Sequence, residues 1–242
     1  MAHFYLIDTI ESTIPGALVI LDGPEGRHAS TVSRIRVGES LLLGNGRGLV
    51  ISGTVTESTK DVLTLRVDTV ENFPLTTPRI TLVQALAKTD RDERAVEAST
   101  ELGVDSVIAW AADRSVSRWD GPKVAKGLTR WSTIAKEASK QSMRPYLPRV
   151  ESHSTSRELG VLLAGQHIVV LDPTGDSSLG SLELDDRDLA IVVGPEGGIT
   201  PAELSLFRDL GASIVTVGSH ILRTSTAGPA ALAILNGKLG RC

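Results

Sequence analysis

The residues best suited to chemistry crowd into the last fifty or so positions of this 242-residue chain. An apolar run, Leu189 to Val193, stops at Gly194-Pro195-Glu196-Gly197-Gly198 and continues into Ile199-Thr200-Pro201-Ala202-Glu203. Thr200 suits a helix N-cap, Pro201 the first helical position, and Glu203 closes a capping box. The stretch therefore reads as strand, glycine turn, helix. The pattern returns at Ile214-Val215-Thr216-Val217-Gly218, with Leu222-Arg223-Thr224-Ser225-Thr226-Ala227 leading into a final helix from about Ser225 to Leu239. A third strand end is Leu171-Asp172-Pro173-Thr174-Gly175. Glycines let a backbone approach a ligand closely and present its N–H groups. Taken singly, each segment is a tight turn or a helix cap. Together, at the carboxyl ends of neighbouring parallel strands, they predict one pocket for a small ligand.

Elements that could hold such a pocket alternate after residue 79. Strands are expected at Ile80–Ala85, Ser106–Trp110, His167–Leu171, Leu189–Val193 and Ile214–Val217. Helices are expected over Asp90–Leu102 (stopped by Gly103), within Val124–Met143, around Leu159–Leu163 and over Pro201–Leu210. This alternation predicts an α/β fold with a parallel sheet covered on both faces. Residues 1–72 read differently: short β-rich runs at Leu18–Leu21, Ser40–Leu43, Leu49–Val55 and Val62–Val67, broken by a helical stretch of about Glu25–Ile35, suggest a small β-barrel. Residues 73–79, with two prolines and no periodicity, read as a linker to a domain spanning 80–242.

Composition narrows the class. Hydrophobic residues are 41% of the chain and aromatics only 3%, so a core of aliphatic side chains is expected. The single cysteine, Cys242, leaves no disulfide framework and fits a reducing cytoplasm. No signal peptide is read at the N-terminus, and no apolar run reaches the ~18 residues of a membrane span. The five histidines show no paired ligand spacing, so no metal site is expected. Net charge is −4, yet Arg114, Arg118, Lys123, Lys126, Arg130, Lys136, Lys140, Arg144 and Arg149 are opposed only by Asp120 and Glu137 across their segment. Such a focused positive stretch suits a phosphate backbone, the alternative being a solvated helix face.

Gly194-Pro195-Glu196-Gly197-Gly198 followed by Gly218-Ser219-His220-Ile221-Leu222-Arg223-Thr224 resembles the paired C-terminal signatures of the RsmE-type ribosomal RNA methyltransferases, of the SPOUT (α/β-knot) class. Ala85-Leu86-Ala87-Lys88, Glu101-Leu102-Gly103-Val104, Glu137-Ala138-Ser139-Lys140-Gln141 with Arg144, and His28 with Val32–Gly38 extend the resemblance over nearly the whole chain. It implies a PUA-like RNA-binding barrel over 1–72 and a SPOUT domain with a trefoil knot over 80–242, paired as a homodimer. It also implies transfer of a methyl group from S-adenosylmethionine to N3 of a uridine in 16S rRNA of the small ribosomal subunit. The cofactor would lie against Leu171, Gly194, Glu196, Gly197, Val217, Gly218, Ile221, Leu222, Thr224 and Thr226. With an RNA substrate, Arg34, Arg36, Lys88, Arg114, Lys136, Lys140 and Arg144 become phosphate contacts.

The chemistry asks most of the group facing uracil N3, whose proton must leave and whose negative charge spreads onto O2 and O4. Arg223, a permanent planar cation, suits stabilisation of that anion. Glu196 is a candidate base, its alternative role being to accept backbone N–H groups near its own turn. The family often has glutamate where this chain has Ser225, so a base at that position is in doubt. Two other classes compete. A non-catalytic RNA-binding assembly factor would use the barrel and the basic helix alone. A dinucleotide oxidoreductase is disfavoured, because the Gly194 turn is not Gly-x-Gly-x-x-Gly and Gly44-Asn45-Gly46-Arg47-Gly48 reads as a hairpin turn.

Overall fold

Alternation of buried and half-buried residues through Leu49–Val55 builds a sheet with one core face, as period-two patterning requires. The computed structural model describes residues 3–241. It divides into two units, one comprising residues 1–75 with 139–147, the other 76–138 with 148–242. The first unit carries β1 (Phe4–Leu6), β2 (Leu18–Leu21), a short helix α1 (Gly23–Arg27), β3 (Ser40–Gly44), β4 (Leu49–Thr59) and β5 (Val62–Asn72). Its five strands lie in the order β1-β3-β4-β5-β2, antiparallel except for the parallel pair β1 and β3. Gly44–Gly48 turns β3 into antiparallel β4, the hairpin expected from its glycines.

The helical stretch expected over 25–35 is α-helical only to Arg27 and then widens into a π-turn, His28–Val32. Its close seating explains one sequence choice: a Cβ on Gly26 would stand 2.5 Å from the backbone oxygens of Leu21 and Asp61. Leu21, Leu41, Leu43, Ile51, Leu63 and Leu65 are fully buried beneath it.

The second unit carries β6 (Ile80–Ala85), α2 (Arg91–Glu101), β7 (Ser106–Ala111), α3 (Pro122–Gln141, whose last turn belongs to the first unit), β8 (Arg149–Thr155), α4 (Ser156–Leu162), β9 (His167–Leu171), β10 (Ser177–Ser178), β11 (Leu189–Val193), α5 (Pro201–Asp209), β12 (Ser213–Thr216) and α6 (Thr224–Lys238). All seven strands are parallel, in the order β10-β12-β9-β11-β6-β7-β8. β6, β9 and β11 are buried at every residue, as strands covered on both faces must be. One side packs Leu82, Ile191 and Val193 with Leu232 and Leu235 of α6; the other packs Val83, Ile168 and Val192 with Phe207 of α5. Strand β8 was not expected from its sequence, Arg149-Val150-Glu151-Ser152-His153-Ser154-Thr155; it is an edge strand, and half-polar residues suffice there.

Candidate active site

Because β12, β9 and β11 are neighbours and all parallel, their carboxyl ends open side by side. A cavity of about 400 Å³ lies there, walled by the β9 end (Leu171, Asp172, Pro173), the glycine turn after β11 and the loop from Thr216 to Thr224. Thr200 caps α5, its Oγ1 accepting the Glu203 N–H at 3.2 Å, so the turn is held at its far end as the capping box requires. Gly194 has no room for a side chain, since a Cβ would come 2.6 Å from Ile199 Cγ1. Thr224 ties three segments: its hydroxyl donates to the Gly194 carbonyl at 2.8 Å and accepts from Gln84 Nε2 at 2.9 Å. Asp172 is buried, and its Oδ1 accepts the Thr174 N–H at 2.9 Å and the Thr174 hydroxyl at 2.5 Å, bracing the third wall.

Val217 to Leu222 make no backbone hydrogen bond to other described residues. Their N–H and C=O groups are therefore available to a ligand, and a Cβ built on Gly218 meets nothing within 4 Å. Among the residues expected here, Leu171, Gly194, Glu196, Val217, Gly218, Ile221, Leu222 and Thr224 line the cavity. Gly197 and Thr226 do not. Gly197 faces the other way, its Cβ position 3.0 Å from Arg114 Cβ, and its carbonyl accepts from Arg114 Nη1 at 3.1 Å. Thr226 lies within the first turn of α6, exposed, its N–H bonded back to the Arg223 carbonyl. Arg91, at the start of α2, lines the cavity although no sequence signal singled it out. Only the pairing of β6 with β11 brings it there.

Glu196 is already engaged. Its Oε1 accepts from Arg91 Nη1 and from the Lys88 N–H, each at 3.1 Å. Both partners come from the segment after β6, not from its own turn. Arg223 is the N-cap residue of α6, exposed at the cavity wall, with no ion pair or hydrogen bond from its side chain to other described residues. Nearby, burial pushes the Asp92 carboxyl above its usual range, against the lowering effect of the Ala87 and Glu93 N–H groups it accepts.

The basic residues divide between the units. Lys88, Arg114 and Lys136 are exposed on the second, Arg34 and Arg36 on the first, and Arg144 is half-buried there. A phosphate contact at Lys140 is overturned: its side chain is 8% exposed and its Nζ sits 3.1 Å from Glu25 Oε1, so the cation is spent on an interior pair. Among the described residues, no group of three His, Cys, Asp or Glu could hold a metal ion, and no helix is long and apolar enough to cross a membrane.

Residues 74–236 match the family model of the RNA methyltransferase domain, and residues 21–68 that of the RNA methyltransferase PUA domain. The chain is 40% identical over 238 residues to the ribosomal RNA small subunit methyltransferase E of Mycobacterium bovis, covering 96% of this chain and 90% of that protein. It belongs to the ribosomal RNA small subunit methyltransferase E family. The Bacillus subtilis member is 30% identical over 243 residues, covering 96% of this chain and 95% of its own. A solved methyltransferase E from Neisseria gonorrhoeae, bound to S-adenosyl methionine, superposes with a TM-score of 0.88 at 28% identity over 98% of both chains. The methyltransferase family model spans the whole cavity wall from Leu171 to Ala227.

Proposed function

We propose that this chain uses S-adenosylmethionine to methylate N3 of a uridine in 16S rRNA of the small ribosomal subunit. The observation that carries the reading is the cavity at the β9, β11 and β12 ends. It combines apolar walls from Leu171, Val193, Ile199 and Leu222 with a loop of unpaired backbone groups. That combination suits an adenine ring, whose faces are apolar and whose edge takes N–H and C=O partners. Glycine at position 218, with open space in front of it, leaves room for the group. When bound, S-adenosylmethionine supplies an electrophilic methyl on a sulfonium that is its own leaving group.

The rest of the chemistry falls to the chain. Leu171, Gly194, Val217, Gly218, Ile221, Leu222 and Thr224 hold the cofactor against the strand ends. Arg223 faces the uracil, its guanidinium stabilising charge on O2 and O4 as the N3 proton leaves to water. Glu196, with Oε1 shared by Arg91 and the Lys88 N–H, fixes the glycine turn instead of acting as the base. Ser225 supplies no carboxylate in its place. The five-stranded first unit is read as a PUA-like barrel, with Arg34, Arg36 and Arg144 as phosphate contacts. On the second unit, Lys88, Arg114 and Lys136 are read as phosphate contacts. The crossing of α6 behind the cavity loop is read as a trefoil knot, and exposed Ile221 beside it as part of a homodimer interface.

Arg223→Ala tests the assignment. Calorimetry should show S-adenosylmethionine bound as in the wild type, while methyl transfer to small subunits falls by about 10²–10³-fold, the usual loss for one anion-stabilising donor. Turnover near the wild type would remove Arg223 from the mechanism. Nucleoside mass spectrometry of the methylated RNA should find 3-methyluridine, and a methyl on any other atom would overturn the N3 reading.

A further inference from the structure

The first unit holds a second cavity, of about 230 Å³, on the outer face of its sheet. Strand register sets its floor. Phe4, Leu42, Ser52 and Thr69 stand in one row across β1, β3, β4 and β5, and Gly44, Val50 and Glu71 in the next. Gly44 is bare because the Phe4 ring occupies its side-chain space; a Cβ there would lie 2.4 Å from Phe4 Cζ. Phe73, Met143 and Pro145 form the walls, and Phe73 and Met143 are 41% and 49% exposed.

These walls are fixed by backbone. The Gly48 N–H donates to the Pro145 carbonyl and the Phe73 N–H to the Gly48 carbonyl, both at 2.9 Å, and the Tyr146 hydroxyl donates to the Phe73 carbonyl at 2.9 Å. The site is thus formed before any ligand arrives, which lowers the ordering cost of binding.

Its polar groups are few and specific. Ser52 Oγ and Thr69 Oγ1 are 2.7 Å apart, so one hydroxyl proton is used between them and the other is free to donate. The Glu71 side chain has no ion pair or hydrogen bond to another described residue, and its carboxylate only accepts. A carboxylate here disfavours a phosphate. Two acceptor oxygens beside one free donor, between an aromatic ring and a thioether, match a planar ligand showing two adjacent N–H groups next to a carbonyl. The Watson–Crick edge of guanine has that pattern: N2–H and N1–H for Glu71, O6 for the hydroxyl. Adenine, cytosine and uracil each lack the adjacent pair of donors, and an arginine side chain lacks the acceptor. Unstacked bases of single-stranded RNA are read in this way, by aromatic stacking and edge hydrogen bonds.

We propose that the Phe73–Met143 cavity binds a guanine base of single-stranded RNA, with Glu71 as its specificity-determining residue. The proposal rests on the RNA-methyltransferase reading for its choice of RNA as the source of the base.

The chain has only two methionines, so methyl-labelled methionine yields two resonances, and Met143→Leu identifies the one in the cavity. Titration of the full chain with guanosine monophosphate should shift the Met143 methyl to saturation. Adenosine, cytidine and uridine monophosphates and arginine amide should leave it in place. Glu71→Gln should abolish the guanosine response while S-adenosylmethionine binds with unchanged heat. No shift with guanosine monophosphate, equal shifts with all four nucleotides, a shift with arginine amide, or a response that survives Glu71→Gln each overturns the site. Methyl transfer by the wild-type chain is measured separately. A chain that methylates RNA without a Met143 response loses this site alone; one that responds but transfers no methyl loses the methyltransferase reading alone.

Discussion

Two glycines that each follow a strand and precede a helix look alike in a sequence, yet Gly197, before α5, and Gly218, before α6, do different work. Gly218 opens onto the cavity with nothing within 4 Å of its Cβ position, while Gly197 is pressed against Arg114. Gly218→Trp should therefore fill the cavity and abolish S-adenosylmethionine binding in calorimetry, with an unfolding midpoint close to the wild type. Gly197→Trp should do the reverse, displacing Arg114 and lowering stability while affinity changes less. Equal loss of binding in both would mean that Gly197, like Gly218, faces the cavity. The lining was legible where a glycine followed an apolar run, as at Gly194 and Gly218. It was not legible at Arg91, whose place depends on the β6–β11 pairing, nor at Lys140, whose burial depends on Glu25, 115 positions away.

At the scale of elements, α5 shows how much a local signal carries and where it stops. Thr200, Pro201 and Glu203 announced the helix start, and the capping box is present. Nothing local announced that the same carboxylate would be 3% exposed and shared among four donors. Oε2 accepts the Thr200 N–H and hydroxyl at 2.9 and 2.8 Å; Oε1 accepts the Asp113 N–H and the Ser156 hydroxyl, both at 2.9 Å. Ser156 in turn accepts from Trp110 Nε1 at 3.0 Å. One side chain thus joins α5, α4 and the end of β7. Glu203→Gln replaces an acceptor oxygen with an NH₂ that faces donors, so about 1–3 kcal/mol of stability should be lost in urea unfolding. A variant as stable as the wild type would show that the four bonds carry no net weight. The strands follow the same division. Buried runs such as Leu189–Val193 were readable from composition, whereas β8, polar at every position but Val150 and lying on the sheet edge, needed its neighbour β7 to be seen.

At the scale of the molecule, the chain order hides how the first unit is completed. Residues 73–79 carry the composition of a linker, yet Phe73 is pinned at both its N–H and its carbonyl, and residues 139–147 return to the first unit from the end of α3. That return is well anchored. The Leu147 N–H donates to the Gly46 carbonyl at 3.0 Å, Pro145 accepts from Gly48, and Lys140 pairs with Glu25 where neither side chain is more than 13% exposed. A protease site placed between Thr76 and Thr77 should therefore yield two pieces that still co-elute on size exclusion in native buffer and part only in denaturant. Removing one member of a buried ion pair is destabilising. Lys140→Ala should accordingly lower the denaturant concentration at which the nicked pieces separate. Separation of the nicked wild-type chain in native buffer would show that residues 139–147 do not hold the first unit, and that residues 1–75 stand alone.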